Sequence, residues 1–141
     1  MFKGLIENNI KKELSEIISN VVVIGDKRKF LTCLITLKSK MEDDVLTDEL
    51  DVDLQSYLCT KYEIDANCVG DAILSTKLDD IIWLGIEKAN MKAISKAQTI
   101  KKFVILAKDF SVQTGELTPT LKLKRSVIVD KNQKIIDSLY E

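Results

Sequence analysis

Val21-Val22-Val23-Ile24-Gly25-Asp26-Lys27-Arg28-Lys29-Phe30-Leu31 decides the fold. Four consecutive β-branched residues are stiff at χ1 and favour a pleated, buried surface, so Val21 to Ile24 begins a strand. Gly25, Asp26, Lys27 and Arg28 then make a polar turn, and Phe30 to Leu37 is a second strand-like run, which together predict a β-hairpin. Working outward, Ile6, Ile10, Leu14, Ile17 and Ile18 recur at helical spacing, with Lys11, Lys12, Glu13 and Glu16 on the other side. That pattern predicts an amphipathic opening helix that ends at Asn20.

Downstream, Lys40 to Asp53 concentrates acids at Glu42, Asp43, Asp44, Asp48, Glu49, Asp51 and Asp53, and reads as a solvated connector. A helix follows from Leu54 to about Tyr62. Helical spacing resumes through Ile73, Leu78, Ile81, Ile82, Ile86 and Ala89, as two helices or one kinked helix, with Gly85 inside the pattern as a point of close packing. Strand character returns at Phe103 to Leu106. A loop follows, and a closing helix carries Ile128, Ile135 and Leu139. The fold class expected is α+β, a small sheet of a hairpin plus one further strand, packed with helices.

The 141 residues are enough for one domain with a core of its own. A net charge of -1 gives no global attraction for nucleic acid, so any anion site is local. The chain has no histidine, which removes the usual general base and any Ser-His or Cys-His pair. Cys33, Cys59 and Cys68 are odd in number and lack CxxC spacing, which indicates neither a disulfide framework nor zinc and favours a reducing, cytoplasmic or cytosol-facing setting. No apolar run approaches the roughly 20 residues that span a bilayer. The acids of Glu42 to Asp53 lack the Asp-x-Asp-x-Asp-Gly calcium pattern.

Thr114-Gly115-Glu116-Leu117-Thr118-Pro119-Thr120-Leu121-Lys122-Leu123-Lys124-Arg125 combines the only proline with three cations in four positions. Pro119 fixes its own φ and pushes Thr118 toward extended geometry, so the segment reads as a rigid loop entering a short extended run. Alternation there puts Lys122 and Lys124 on one face, suited to a phosphate or carboxylate, with Leu121 and Leu123 packing inward. Spacing alone does not separate the two lysines from each other or from solvated surface residues. Glu116 and Thr118 are placed to order the loop by local side-chain to backbone bonds. Lys27, Arg28 and Lys29 offer a second cluster, suited to phosphates or simply to keeping a turn solvated. Trp83, at helical spacing with Ile82 and Ile86, belongs to the core or to a partner surface, and Cys33 reads as a small buried hydrophobe.

With its flanks, this loop resembles the C-terminal end of the adenylate-forming (AMP-binding) superfamily, in particular the bubblegum-type long-chain acyl-CoA synthetases. Lys101 to Phe110 is similar to the strand and Asp-Phe pair that lead into the family's loop, Ile135 to Tyr140 to its terminal helix, and Ile17 to Leu31 to its first strand, charged turn and second strand. The resemblance implies a single C-terminal lid domain over residues 1–141 of a larger fatty acid–CoA ligase. In the family such a lid swings between adenylate-forming and thioester-forming poses over an N-terminal adenylating domain of the same polypeptide. The phosphate-binding, adenine-binding and ribose-binding motifs of that larger domain have no counterpart here, and by this reading the chain alone is inactive. The family's adenylation lysine lies three residues before an arginine, which transfers onto Lys122 with Arg125. Lys124, Arg125, Lys27, Arg28 and Lys29 are then candidates for phosphate or CoA contacts. The resemblance implies ATP, CoA and Mg2+, bound mainly by the other domain, a long-chain fatty acid as substrate, and membrane association only through that other part. Two alternatives from other classes are a non-enzymatic α+β protein-interaction module and an anion-binding module without catalysis.

Overall fold

A computed structural model describes residues 2–25, 28–93 and 98–141. Helix α1 (Phe2–Glu13) leads into the antiparallel hairpin of β1 (Ile18–Ile24) and β2 (Leu31–Leu37), as the Val/Ile runs demand. The chain continues through β3 (Ser39–Glu42), β4 (Val45–Leu50), α2 (Val52–Tyr62), α3 (Val69–Ile73) and α4 (Thr76–Asn90). It returns in β5 (Ile100–Ile105), which pairs parallel to β2, and ends in α5 (Arg125–Lys131) and α6 (Gln133–Leu139). The main sheet has the order β1-β2-β5, a hairpin plus one further strand, so the α+β expectation is borne out.

The sheet is buried on both faces, and its side chains alternate between two cores as the period of a strand requires. Val21, Val23, Cys33 and Ile35 join Ile6, Ile10, Ile82 and Ile86 from α1 and α4. Val22, Ile24 and Leu34 join Ile128 of α5 and Ile136 of α6 on the opposite face. Cys33 is fully buried, as a small hydrophobe. Gly85 allows close approach: a Cβ built on it would lie 2.4 Å from Leu14 Cδ2. Ser75 caps α4 by accepting from the Leu78 N–H, and separates it from α3, so the long pattern is two helices.

Four expectations are corrected. The opening helix stops at Glu13, not Asn20, because the Ile17 and Ile18 amides both turn back to the Leu14 carbonyl before β1 begins at Ile18. The acidic stretch from Lys40 to Asp53 is not a connector but a hairpin, β3–β4, whose turn residues Asp43 and Asp44 hold φ of 50° and 64°. Short acids tolerate that left-handed backbone. Leu121 does not pack inward: its φ is 65° and it is 69% exposed. The closing helix is two, broken at Asn132, and it is Ile128 and Ile136 that are buried while Ile135 is 39% exposed. No helix among the described residues is long and apolar enough to cross a membrane.

Candidate functional site

The cationic loop is fixed by its own polar side chains. After β5, the Asp109 carboxylate accepts from the Phe110 N–H (2.7 Å) and from Asn20 Nδ2 (3.0 Å), which ties the Asp-Phe pair to β1. Glu116 then closes the loop: Oε1 accepts from the Ser111 N–H (3.2 Å) and the Thr114 hydroxyl, while Oε2 pairs with Lys131 Nζ of α5 (3.2 Å). Partial burial alone would raise this carboxyl, but the bonds from Thr114, Ser111 and Lys131 together outweigh it and hold Glu116 below its ordinary range. Pro119 occupies the second position of a turn closed by the Leu121 N–H on the Thr118 carbonyl (2.7 Å), where a fixed φ near −65° fits. Thr118 Oγ1 accepts from the Lys122 N–H (3.0 Å), and the Thr118 N–H donates to the Lys122 carbonyl (2.8 Å). The ordering role expected of Glu116 and Thr118 is therefore present.

Arg125 anchors the far end. Its guanidinium meets the Glu7 carboxylate with both terminal nitrogens, Nη1 lying 2.7 Å from Oε2. Glu7 is only 6% exposed and also accepts from the Val23 N–H (2.8 Å). Bidentate pairing fixes orientation as well as distance. Sequence reading missed Glu7, although a signal exists: it lies three residues before Ile10 and seven before Leu14, on the apolar stripe of α1.

This clamp borders a groove of about 260 Å³ that also takes in Lys11, Asn20 and Lys122. Lys122 is exposed, and its ammonium has no hydrogen-bond or ion-pair partner among the described residues. Lys11, Lys122 and Arg125 set three cations against a single acid already engaged by Arg125, so the groove favours an anion. Lys124 does not line it; it precedes α5, and its amide is bonded to the Glu116 carbonyl (2.7 Å). The two lysines that alternation would pair therefore differ in place: Lys122 lines the groove, whereas Lys124 is the residue from which α5 starts.

The second cluster is dispersed. Arg28 pairs with Asp137 of α6 (2.7 Å) and lies 4.8 Å from the centre of the Tyr140 ring, which pins the hairpin to the C-terminal helix. That hydrogen bond, with one from Gln133, holds the Asp137 carboxyl below its ordinary value. Lys29 is exposed, and Lys27 lies outside the described residues. No group of three His, Cys, Asp or Glu side chains among the described residues is placed to hold a metal ion.

The fold is similar to part of two solved adenylation-domain structures. The adenylation–carrier didomain of a carboxylic acid reductase from Segniliparus rugosus, solved with AMP, superposes with a TM-score of 0.63 over 98% of this chain and 16% of that one, at 14% identity. The adenylation domain of a carboxylate reductase from Mycobacterium chelonae gives 0.57 over 93% of this chain and 17% of its own, at 13% identity. At such identities the likeness is one of fold.

Sequence narrows the class. The long-chain-fatty-acid–CoA ligase ACSBG1 of Homo sapiens is 40% identical over 142 residues, spanning 96% of this chain and 19% of that protein. ACSBG2 of Gallus gallus is 43% identical over 135 residues (92% and 17%), and the ligase heimdall of Drosophila melanogaster 39% over 159 (96% and 23%). The chain is thus homologous, over nearly all its length, to part of the bubblegum-type long-chain-fatty-acid–CoA ligases, and spans about a fifth of those relatives. No family model matches it.

Proposed function

We propose that this chain is the C-terminal lid of a long-chain-fatty-acid–CoA ligase, and that Lys122 is its adenylation lysine. ATP and CoA are its co-substrates, and a reducing, cytosol-facing compartment suits its three free cysteines. The observation that carries the reading is Lys122 itself: an ammonium with no partner among the described residues, on a backbone held at Thr118 and Arg125, beside a groove that is positive on balance. In the reaction the fatty carboxylate attacks the α-phosphorus of ATP and pyrophosphate leaves. Charge accumulates on the oxygens between the two reactants, where a fixed ammonium stabilises it far more once the opposing domain excludes water. Arg125 acts as a positioning residue, since its guanidinium is committed to Glu7.

The test is Lys122→Ala in the full-length polypeptide, with the two half-reactions assayed separately. Acyl-adenylate formation, read by pyrophosphate release, should fall by about 100-fold or more. Thioester formation from preformed acyl-adenylate should stay near wild type, and Lys124→Ala should affect both steps far less. Equal loss of both half-reactions would overturn the assignment in favour of a folding role.

A further inference from the structure

Among the described residues no strand pairs with the outer edge of β5. Val104 pairs with Leu34, and the Leu106 N–H donates to the Ile35 carbonyl (2.8 Å), so in a parallel ladder Val104 and Leu106 turn their amides toward β2. Phe103 and Ile105 therefore direct N–H and C=O groups away from the sheet, and no strand among the described residues lies beyond them. The strand's start is closed differently, by the Asn90 side chain bonding both the N–H (2.8 Å) and the C=O (3.2 Å) of Ile100. Two residues with outward-facing backbone remain, at the spacing one added strand needs.

A groove of about 450 Å³ runs along this edge. It straddles the strand, because Phe103 and Ile105 belong with the α4 side and Val104 with the α5–α6 side. Trp83 stacks on Phe103 with ring centres 6.1 Å apart and 19° between planes, giving an aromatic wall. Asp79 and Asp80, one turn earlier on α4, supply two carboxylates with no partner among the described residues. Partial burial, and then the charge of Asp80, raises the Asp79 carboxyl above its ordinary value, a cost that an arriving cation removes. The opposite end of β5 carries exposed Lys101 and Lys102, which sets a polarity for anything that docks.

We propose that the β5 edge and the Trp83–Phe103 groove dock an extended, basic segment of a partner protein, which adds a strand and lays an arginine or lysine side chain between Trp83 and the Asp79–Asp80 pair. Backbone pairing supplies affinity, and the carboxylates with the aromatic face select the cation. The inference is independent of the ligase reading.

Trp83 is the only tryptophan, so its emission reports this groove alone. The probe is the peptide acetyl-Val-Arg-Val-Arg-Val-amide, with acetyl-Val-Glu-Val-Glu-Val-amide and free arginine as comparators. The basic peptide should shift the emission saturably and slow hydrogen exchange at the Phe103 and Ile105 amides. The double variant Asp79→Asn, Asp80→Asn, checked for folding by circular dichroism, should bind it about tenfold more weakly. An equal response to the acidic peptide, an equal response to free arginine, or unchanged exchange at those two amides would overturn the proposal.

Discussion

Substituting Glu7 tests whether the loop is held from α1. Glu7 accepts three N–H groups, two from Arg125 and one from Val23. Glu7→Gln keeps the shape and one acceptor oxygen but removes the charge and the fork. Breaking a fully buried pair costs about 3–5 kcal/mol, and an exposed pair contributes about 0–1. Here the acid's side chain is 7% exposed and the arginine's 42%, so solvent screens one partner and the loss should be about 2 kcal/mol. In a domain of this size that lowers Tm by about 7 °C. Calorimetry on Glu7→Gln, Arg125→Met and the double variant gives the coupling directly, expected at about 1–1.5 kcal/mol. Backbone chemical shifts of residues 121–125 should move in both single variants. A coupling under about 0.3 kcal/mol, with those shifts unmoved, would refute the clamp.

Gly85→Ala gains about 1 kcal/mol of helix propensity, but its new methyl would meet both Cδ2 and Cγ (2.6 Å) of buried Leu14; overpacking should win by about 1–2 kcal/mol, read as a lower denaturation midpoint. Toward a thiol reagent, exposed Cys59 should react first and Cys68, whose sulfur caps α3, more slowly. Cys33, its thiol raised far above the ordinary value by burial and then by Glu7, should react only on unfolding, as mass spectrometry will tell. Glu116 has a depressed folded pKa, so its contribution is present above its unfolded value of about 4.5 and is lost as pH falls through the lower folded value; the protection factor of the Ser111 amide, with its intrinsic exchange rate divided out, should fall across that window and stay constant in Glu116→Gln.

The parts of this fold legible in the sequence were those with an apolar period. The Val21–Ile24 and Leu31–Leu37 runs, α4 and its glycine all follow from residue type and spacing. The β3–β4 hairpin escaped because its outward residues are acidic and its turn is Asp43–Asp44, so charge density hid a strand whose Leu50 is fully buried. The lysine loop was found by composition, yet its shape was not: alternation assumes an uninterrupted strand, and the Thr118 hydroxyl captures the Lys122 amide instead. Glu7 was hidden for a different reason. Its place on the apolar stripe of α1 marks it as buried, but its partner lies 118 positions away, and no local pattern encodes a contact at that separation.

Four pins, at Asn20–Asp109, Glu116–Lys131, Thr118–Lys122 and Glu7–Arg125, leave the backbone around Lys122 little freedom to unfurl. Only the terminal methylenes of the side chain can swing independently. If the proposed role of Lys122 holds, carrying its ammonium farther than its own stem would require the α+β unit to move as one body, with any pivot lying outside this loop.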